Sequence, residues 1–315
     1  MTRESDLISA LRRFATDPAA RGLLDDAAVV EAGGERLVFT HDMLVEGVHF
    51  LPDDPPEDVA WKLLAVNLSD LAGKGARPLA VLLGYCLAQA DEWDARFVEG
   101  LGRALRAFDI ALLGGDTVAA PAGASRSLGM TAIGAAESVV PSRSGAAPGD
   151  VLWLTGTIGD AGAGLAIARG RDGPAALLER YRAPMPRVEA GQRLAPLVTA
   201  MMDVSDGVLI DARRLADASQ VAAVIELDRL PLSQAYLDFA GEDRAARLAA
   251  ATAGDDYELL FTAPHEHAAE ILALSDGIGL PISRIGLIQA GSGLRLVDAG
   301  QDVPLPRRLG FEHAR

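Results

Sequence analysis

The sequence predicts a mixed α+β protein made of two lobes. Its 315 residues would fill two domains of about 150 residues each. Segments with helical periodicity and segments with strand periodicity alternate along the chain, which excludes an all-helical or an all-strand class. The segment VVPSRSGAAPGD concentrates Pro, Gly and Ser and interrupts both periodicities. We therefore expect an N-terminal lobe over 1–138 and a C-terminal lobe over 139–315.

The N-terminal lobe is predicted to follow the order β-β-α-β-α-β-β after an opening helix. Two short apolar segments flank the glycine pair 33–34, which is typical of a two-residue hairpin. The pair Pro55-Pro56 begins a helix whose apolar residues recur every three or four positions until Gly73. The segment LAVLLGYCLA predicts a strand, and 91–108 predicts a second helix. The short strand IALL then leads into GGDT, and LGMTAIGAA completes the lobe as another strand.

The C-terminal lobe is predicted to begin with the strand VLWLTG and a glycine-rich turn. Helices then extend to about Val198, followed by the segment MMDVSDG, a helix over 207–218 and the strand VAAVIEL. Helical segments continue to about Ala251, before the strand YELLFTA, one more helix and two strands near 282–288 and 294–297. The sequence shows no repeat of about 20 to 50 residues, which excludes a solenoid.

Composition restricts the partners that this chain could bind. It carries 29 Lys and Arg against 44 Asp and Glu, a net charge of −15, and no run of five basic residues. The chain therefore lacks the cluster of basic residues that binding to nucleic-acid phosphates requires. We find neither a signal-peptide pattern nor an uncharged apolar stretch of about 18 residues, and so expect a cytoplasmic protein without membrane contact. The single cysteine, Cys86, excludes an internal disulfide, and its apolar neighbours favour burial over reactivity.

Aspartates recur where predicted strands or helices end. Singly, each could be a turn residue or a helix cap. Asp70 differs because it shares a helix face with Asn67 and Lys74, away from the apolar stripe of that helix. The recurring residues are Asp25, Asp26, Asp42, Asp70, Asp116, Asp203 and Asp206.

So many carboxylates in one cleft would raise one another's pKa values unless cations neutralised them. Mg²⁺ prefers oxygen ligands and usually takes one or two carboxylates together with phosphate oxygens. The set therefore predicts several magnesium ions that bridge a triphosphate.

Other motifs carry weaker signals. The segment TGTIGDAGAG has no GxGxxG spacing, so tight packing between helix and strand is favoured over phosphate binding. The sequence GKG is not a P-loop, whereas GGDT allows a phosphate to approach the backbone beside Asp116. His49 follows Asp42 on an expected loop, where a structural and a functional role are equally favoured. No nucleophile elbow is present, which argues against covalent catalysis.

Eight segments in order resemble the thiamine-monophosphate kinase family: LLDDAAVV, VFTHDMLVEGVHF, WKLLAVNLSDLAGKGARP, LLGGDT, PSRSGAAPGD, VLWLTGTIGDAGAGL, MMDVSDGV and GDDYELLF. The resemblance covers essentially the whole chain. GGDT is shared across an ATP-binding superfamily that includes aminoimidazole ribonucleotide synthetase, selenophosphate synthetase and a hydrogenase maturation factor. VEGVHF, NLSDLA and DYEL are more specific to the kinase.

The resemblance implies a two-lobed fold like that of aminoimidazole ribonucleotide synthetase, and a homodimer whose N-terminal sheets pair. It also implies that ATP and several Mg²⁺ ions lie between the lobes, and that the γ-phosphate passes directly to thiamine monophosphate to give thiamine diphosphate.

The motifs also imply site residues. The implied metal ligands are Asp25, Thr40, His41 through its backbone, Asp42, Asp70, Asp116, Asp203 and Asp206. Asp70, Asp116 and Asp206 are expected to act in catalysis. The implied ATP contacts are Gly115, Asp116, Arg143 and Ser205. The implied substrate contacts are His49, an acidic residue of the DYEL segment (Asp256 or Glu258), and Phe311, where the family usually has Trp or Tyr.

Two alternative functions remain open. One is an ATP-dependent synthetase of the same superfamily, of the aminoimidazole ribonucleotide or selenophosphate type. The other is a non-catalytic regulator that binds nucleotide or metal. Selenophosphate synthesis would need a reactive cysteine near the N-terminus and hydrogenase maturation a C-terminal cysteine, and the sequence has neither. The aspartates at every family position favour an active enzyme.

Overall fold

The computed structural model describes residues 3–88, 91–121, 123–137 and 139–312. Its N-terminal part contains a five-stranded sheet in the order β1-β2-β5-β3-β4. The hairpin between β1 and β2 turns at Gly33 and Gly34, whose φ angles of 60° and 88° suit glycine and confirm the predicted turn. The elements are α1 (Arg3–Arg12), β1 (Ala28–Ala32), β2 (Glu35–Val45), α2 (Pro56–Gly73), β3 (Arg77–Leu87), α3 (Asp91–Phe108), β4 (Ala111–Ala119) and β5 (Ser127–Ala136).

The C-terminal part contains a seven-stranded mixed sheet in the order β12-β11-β8-β10-β6-β9-β7. The predicted strands and helices of this half are present. Two strands are additions: β7, within the segment MMDVSDG, and the short β12, whose three residues were too few to predict. The strands are β6 (Val151–Thr155), β7 (Ala200–Val204), β8 (Ala222–Glu226), β9 (Glu258–Ala263), β10 (Ile282–Gln289), β11 (Gly293–Asp298) and β12 (Gln301–Val303). The helices are α4 (Asp160–Ala168), α5 (Ala175–Arg182), α6 (Val188–Leu194), α7 (Val208–Ser219), α8 (Gln234–Ala240), α9 (Arg244–Ala251) and α10 (Ala268–Ile278).

Strand β4 runs through GGDT, whereas the sequence predicted a strand only over IALL. The reason is close packing between two strands. Gly115 pairs with Leu83 of the parallel strand β3, and a Cβ on Gly115 would lie 1.8 Å from the Leu83 carbonyl oxygen. The glycine therefore allows the two backbones to approach, and the strand continues to Ala119.

The glycine-rich segment after β6 serves packing between C-terminal elements. A Cβ on Gly159 would lie 2.5 Å from the Ala250 Cβ, and one on Gly164 would lie 2.0 Å from the Leu177 carbonyl oxygen. Both partners belong to helices, α9 and α5, so these glycines serve close packing against helices, whereas the sequence favoured packing between helix and strand.

Helix α2 joins the two sheets. Its apolar residues pack on β2 and β5, and its C-terminal end contacts β7 and α6. That end approaches closely because it carries glycine: a Cβ on Gly73 would lie 3.1 Å from the Asp203 nitrogen. Asp70 of α2 and Asp203 of β7 are thereby brought into one cleft. Among the helices of the described residues, none has the length and apolar character that a membrane crossing requires.

Candidate active site

Three buried carboxylates from distant parts of the chain meet between the sheets. Asp26 precedes β1, Asp70 lies on α2 and Asp203 lies on β7. One oxygen of each lies within 4.8 Å of the other two, an arrangement that could hold a metal ion. Ser69 donates to Asp203 at 2.6 Å, and Thr40 donates its hydroxyl to Asp70. We call Asp26, Asp70 and Asp203 the aspartate group.

The electrostatics of the aspartate group fit a hard cation. Burial, with the charges of Asp42, Asp203 and Asp26, raises the pKa of Asp70 well above its usual range. Burial and the charge of Asp26 raise the pKa of Asp203 to about 8. Asp26 Oδ2 is buried and accepts no hydrogen bond of suitable geometry, although Lys74 Nζ lies 2.8 Å away. An all-oxygen donor set of this kind suits Mg²⁺.

Basic side chains partly neutralise the same carboxylates. Lys74 pairs with both Asp25 and Asp26, and Arg143 pairs with Asp26. Burial alone would raise the pKa of Asp26, but the charges of Arg143 and Lys74 outweigh burial and hold that pKa below its usual range. The same Asp26 charge raises the pKa of Arg143 against the effect of burial.

The structure places Asp26 in the aspartate group, whereas the family's motif implied Asp25 as the ligand. The Asp25 carboxylate instead accepts from Arg21 and Lys74. Arg21 is held in turn by the carbonyls of Val140 and Pro141, at 3.0 and 2.8 Å. In this structure the Asp25 carboxylate is therefore a partner of basic side chains.

The residues of β2 lie beside the group. The Asp42 backbone N–H donates to the Asn67 side-chain oxygen at 3.0 Å, which fixes β2 against α2. The Asp42 charge contributes to the raised pKa values of both Asp70 and Asp203. His41 Nδ1 lies 2.9 Å from the Thr131 hydroxyl, so its side chain faces along the sheet. A ligand from His41 would come from its backbone, as the resemblance implied.

Asp116 and Gly115 lie apart from the aspartate group within this chain. Asp116 is exposed on β4 and occupies the same row of the sheet as Gly84 and Met43. Strands β3 and β5 lie between β4 and β2, so three inter-strand spacings, about 14 Å, separate Asp116 from β2.

A cavity of about 740 Å³ lies next to the aspartate group: it is lined by Asp25, Ser205, Asp206 and Arg143, and Arg143 pairs with Asp26. It thus collects four of the residues implied for ATP and metal. Arg214 also lines the cavity and Asp211 lies next to Asp206, and neither residue was among those predicted from the sequence. Arg214 pairs with both Asp206 and Asp211, and burial raises the pKa of Asp211 to about 6 although Arg214 opposes this. Asp211 also accepts the Asp206 and Gly207 N–H groups, at 3.1 and 3.2 Å, at the start of α7.

The two acidic residues of DYEL bind other parts of the C-terminal lobe. Asp256 accepts the Gly159 N–H at 2.8 Å, and so caps α4. Glu258 is fully buried and accepts from Arg187 at 2.7 Å and from Arg180 at 3.0 Å. Their carboxylates therefore already have partners inside the protein.

His49 and Phe311, the other implied substrate contacts, are more accessible. His49 Nδ1 accepts the Val45 N–H at 2.9 Å, which shapes the loop after β2. The Phe311 N–H donates to the Asp206 carbonyl at 2.9 Å, and 43% of Phe311 is exposed. Phe311 thus lies beside the cavity that Asp206 lines.

A buried lysine, Lys62, was also missed. Its Nζ donates to the His49 carbonyl at 2.9 Å, pairs with Asp255 at 2.7 Å and lies 4.3 Å from the centre of the Tyr181 ring. It connects the His49 loop to the GDDYEL segment. A charged residue inside the apolar pattern WKLL was the available signal.

Comparisons with known proteins agree with this architecture. The models of the AIR synthase related protein family match the chain over 24–136 for the N-terminal domain and 147–299 for the C-terminal domain. The thiamine-monophosphate kinase of Caulobacter vibrioides is 41% identical, with 98% of this chain and 90% of that protein covered. The Escherichia coli thiamine-monophosphate kinase is 38% identical, with 93% and 91% covered.

Solved structures give the same result. One described as AaThiL complexed with AMPPCP and TMP superposes with a TM-score of 0.84 at 29% identity, covering 97% of this chain and 96% of that one. The thiamine-monophosphate kinase from Stenotrophomonas maltophilia gives a TM-score of 0.78 at 38% identity, covering 95% and 96%. These relatives confirm the resemblance that the sequence motifs carried.

Proposed function

Because the chain belongs to the thiamine-monophosphate kinase family, within the AIR synthase related proteins, we propose that it transfers the γ-phosphate of ATP directly to thiamine monophosphate. The observation that carries this proposal is the aspartate group, in which Asp26, Asp70 and Asp203 come together from both halves of the chain beside a cavity with basic residues. A buried site of this charge suits cations and a polyphosphate.

Asp26, Asp70 and Asp203 would hold magnesium, with Thr40 and Asp42 beside them. Mg²⁺ held there would supply positive charge that neutralises phosphate oxygens and favours in-line displacement. The resemblance adds Asp25, the His41 backbone, Asp116 and Asp206 to the set. Of these, Asp25 and Asp206 line the adjoining cavity.

The chain's own contribution to the reaction is to position two anions. An oxygen of the acceptor phosphate attacks the γ-phosphorus, the bond between that phosphorus and the β,γ-bridging oxygen breaks, and ADP leaves with the electron pair. The attacking phosphate oxygen is already ionised near neutral pH, so the reaction needs no general base. No protein nucleophile is needed either, and Cys86 lies on β3 outside the aspartate group.

Arg143 is proposed to bind ATP phosphates, together with Ser205. The resemblance adds the backbone of Gly115, which lies apart from the aspartate group within one chain. The Arg143 guanidinium reaches the cavity and is now paired with Asp26, a residue that a metal ion would engage. Once Asp26 has a cation, the guanidinium can make paired hydrogen bonds to phosphate.

For Arg143→Ala we expect the KM for ATP to rise about tenfold, equivalent to about 1.4 kcal/mol, at saturating Mg²⁺. Arg244→Ala removes an exposed ion pair with Asp298 and is the matched control, for which no change is expected. Steady-state kinetics with varied ATP measures both. A change below twofold in Arg143→Ala would remove this residue from the ATP site.

The acceptor site is proposed to include His49, Phe311 and the GDDYEL segment. Thiamine monophosphate combines a cationic thiazolium with an aromatic ring and a phosphate, so an aromatic face and a carboxylate suit it. Phe311 offers the exposed aromatic face. Because Asp256 caps α4 and Arg residues hold Glu258, we expect these two acids to shape the segment around the acceptor.

The function is tested by incubating the purified protein with ATP, Mg²⁺ and thiamine monophosphate. We expect thiamine diphosphate and ADP in equal amounts, and little reaction with free thiamine, which lacks the accepting phosphate. Chelation of Mg²⁺ should stop the reaction. ATP consumption that depends on formylglycinamidine ribonucleotide or selenide, without thiamine diphosphate, would instead support the synthetase alternative.

A homodimer formed through the N-terminal sheet is also proposed. Helices α2 and α3 lie on one side of the lobe, whereas the strands expose large apolar side chains, including Met43 at 50%, Leu82 at 39% and Leu113 at 64%. Apolar surface of this extent is usually covered by a partner, and a second copy offers the same surface.

Light scattering should give twice the chain mass for the wild type and a lower mass for Leu113→Glu. A monomeric wild type at micromolar concentration would contradict the dimer.

A further inference from the structure

The GKG segment at the end of α2 places a lysine inside the aspartate group. Lys74 is completely buried, and its Nζ contacts Asp25, Asp26 at 2.8 Å and the Met201 carbonyl at 3.3 Å. These partners come from the loop before β1 and from β7. Lys74 therefore links the two lobes at the place where the carboxylates meet.

The flanking glycines explain how Lys74 reaches this position. A Cβ on Gly75 would lie 2.5 Å from the Ala195 Cβ, and the φ of Gly75 is 60°. A Cβ on Gly73 would lie 3.1 Å from the Asp203 nitrogen. Larger residues at either position would hold α2 away from the C-terminal lobe, and Lys74 with it.

Lys74 differs from the other cations that contact Asp25 and Asp26 in the described part of the chain. Arg21 and Arg143 have side chains 20% and 21% exposed, so each can move towards solvent when a metal ion or a nucleotide arrives. Lys74 has no exposed surface and its side chain is held from three directions. A buried ammonium is stable only while carboxylates face it. Its charge therefore stays in the cluster in every ligand state.

We infer that Lys74 is a built-in cation of the metal site: it neutralises the Asp25-Asp26 pair in place of one divalent ion, and so lowers the number of ions that the cleft binds. This inference rests on the proposed function, because it assumes that the aspartate group binds metal. Lys74 acts through the carboxylates and does not contact a substrate, so it is a positioning residue.

The number of ions bound is the readout that separates this role from ordinary packing. Equilibrium dialysis with Mn²⁺ and a non-hydrolysable ATP analogue should show about one more ion per chain in Lys74→Met than in the wild type, because a divalent ion can enter where the ammonium was. The thermal midpoint of metal-free Lys74→Met should fall, and Mn²⁺ should raise it by more than in the wild type.

Matched variants complete the test. Arg21→Gln removes the other basic partner of Asp25 but leaves Lys74 in place, and should bind the wild-type number of ions. Lys74→Gln keeps amide donors for Asp26 and Met201 without the charge, and should gain an ion as Lys74→Met does, which preserves the measurement if Lys74→Met does not fold. Equal or smaller ion numbers in the Lys74 variants would overturn the inference. A wild type that binds no Mn²⁺ would overturn both the inference and the proposed metal scaffold.

Discussion

Asp70→Asn is expected to abolish turnover while the protein stays folded. Asp70 lies close to Asp26, Asp42 and Asp203. A metal ion bound to its carboxylate would therefore also contact carboxylates of both lobes. An amide has the same shape and can still accept from Thr40. It cannot supply the negative charge. We expect kcat to fall by at least ~10²–10³-fold, about 3–4 kcal/mol in the activation free energy.

The folded state of Asp70→Asn should be at least as stable as that of the metal-free wild type, because one of several repelling buried charges is gone. Circular dichroism and a thermal scan measure this beside kcat. Asp238→Asn is the control, since Asp238 is an exposed carboxylate on α8 that pairs with Gln234, and its turnover should be unchanged. A folded Asp70→Asn protein with wild-type turnover would contradict the role assigned to Asp70.

The stability of the metal-free protein should fall as the pH rises from about 5 to 8. The pKa of Asp203 is raised to about 8 in the folded protein by burial and by Asp26, whereas in the unfolded chain it returns to its ordinary value near 4. Between these two values the folded state holds a proton that the unfolded state releases. The stabilisation is therefore complete below the unfolded pKa and is lost as the pH rises through the folded pKa. One such group gives a slope of up to about 1.4 kcal/mol per pH unit.

Asp203→Asn should remove this group from the pH dependence. Thermal midpoints measured at pH 5 and pH 8 without metal should differ less than in the wild type, and the variant should be the more stable protein at pH 8. Each kcal/mol corresponds to a shift on the order of 2 °C. Mg²⁺ should flatten the wild-type profile, because a cation favours the ionised carboxylates, and should have little effect on the variant. A metal-free wild type whose thermal midpoint rises between pH 5 and pH 8 would show that the carboxylates of the aspartate group do not repel one another as described.

Local patterns were sufficient to predict most elements of the fold. The hairpin at Gly33-Gly34 and helix α2 depend on turn chemistry and on the spacing of apolar residues, both of which are local. The order of the strands is not local. β5 lies between β2 and β3 because it pairs with both, and no pattern within β5 indicates which strands it will join.

The candidate site likewise combines features that local sequence patterns predict with features that depend on tertiary contacts. The sequence indicated which aspartates to consider, because they follow predicted strands or helices. It could not distinguish Asp25 from its neighbour Asp26, since the choice depends on Lys74, 49 residues from Asp25, and Arg143, 117 residues from Asp26. The capping of α4 by Asp256 likewise joins residues 97 positions apart. Tertiary contacts of this kind decide which of two adjacent carboxylates meets Asp70 and Asp203.

Diffraction from crystals grown with Mn²⁺ and a non-hydrolysable ATP analogue would test the metal scaffold most directly. Anomalous scattering locates the ions independently of the protein coordinates. We predict peaks at about 2.0–2.3 Å from carboxylate oxygens of Asp26, Asp70 and Asp203, with the triphosphate in the cavity lined by Arg143 and Ser205. Ions bound only outside the aspartate group, with the nucleotide ordered in the crystal, would contradict the account.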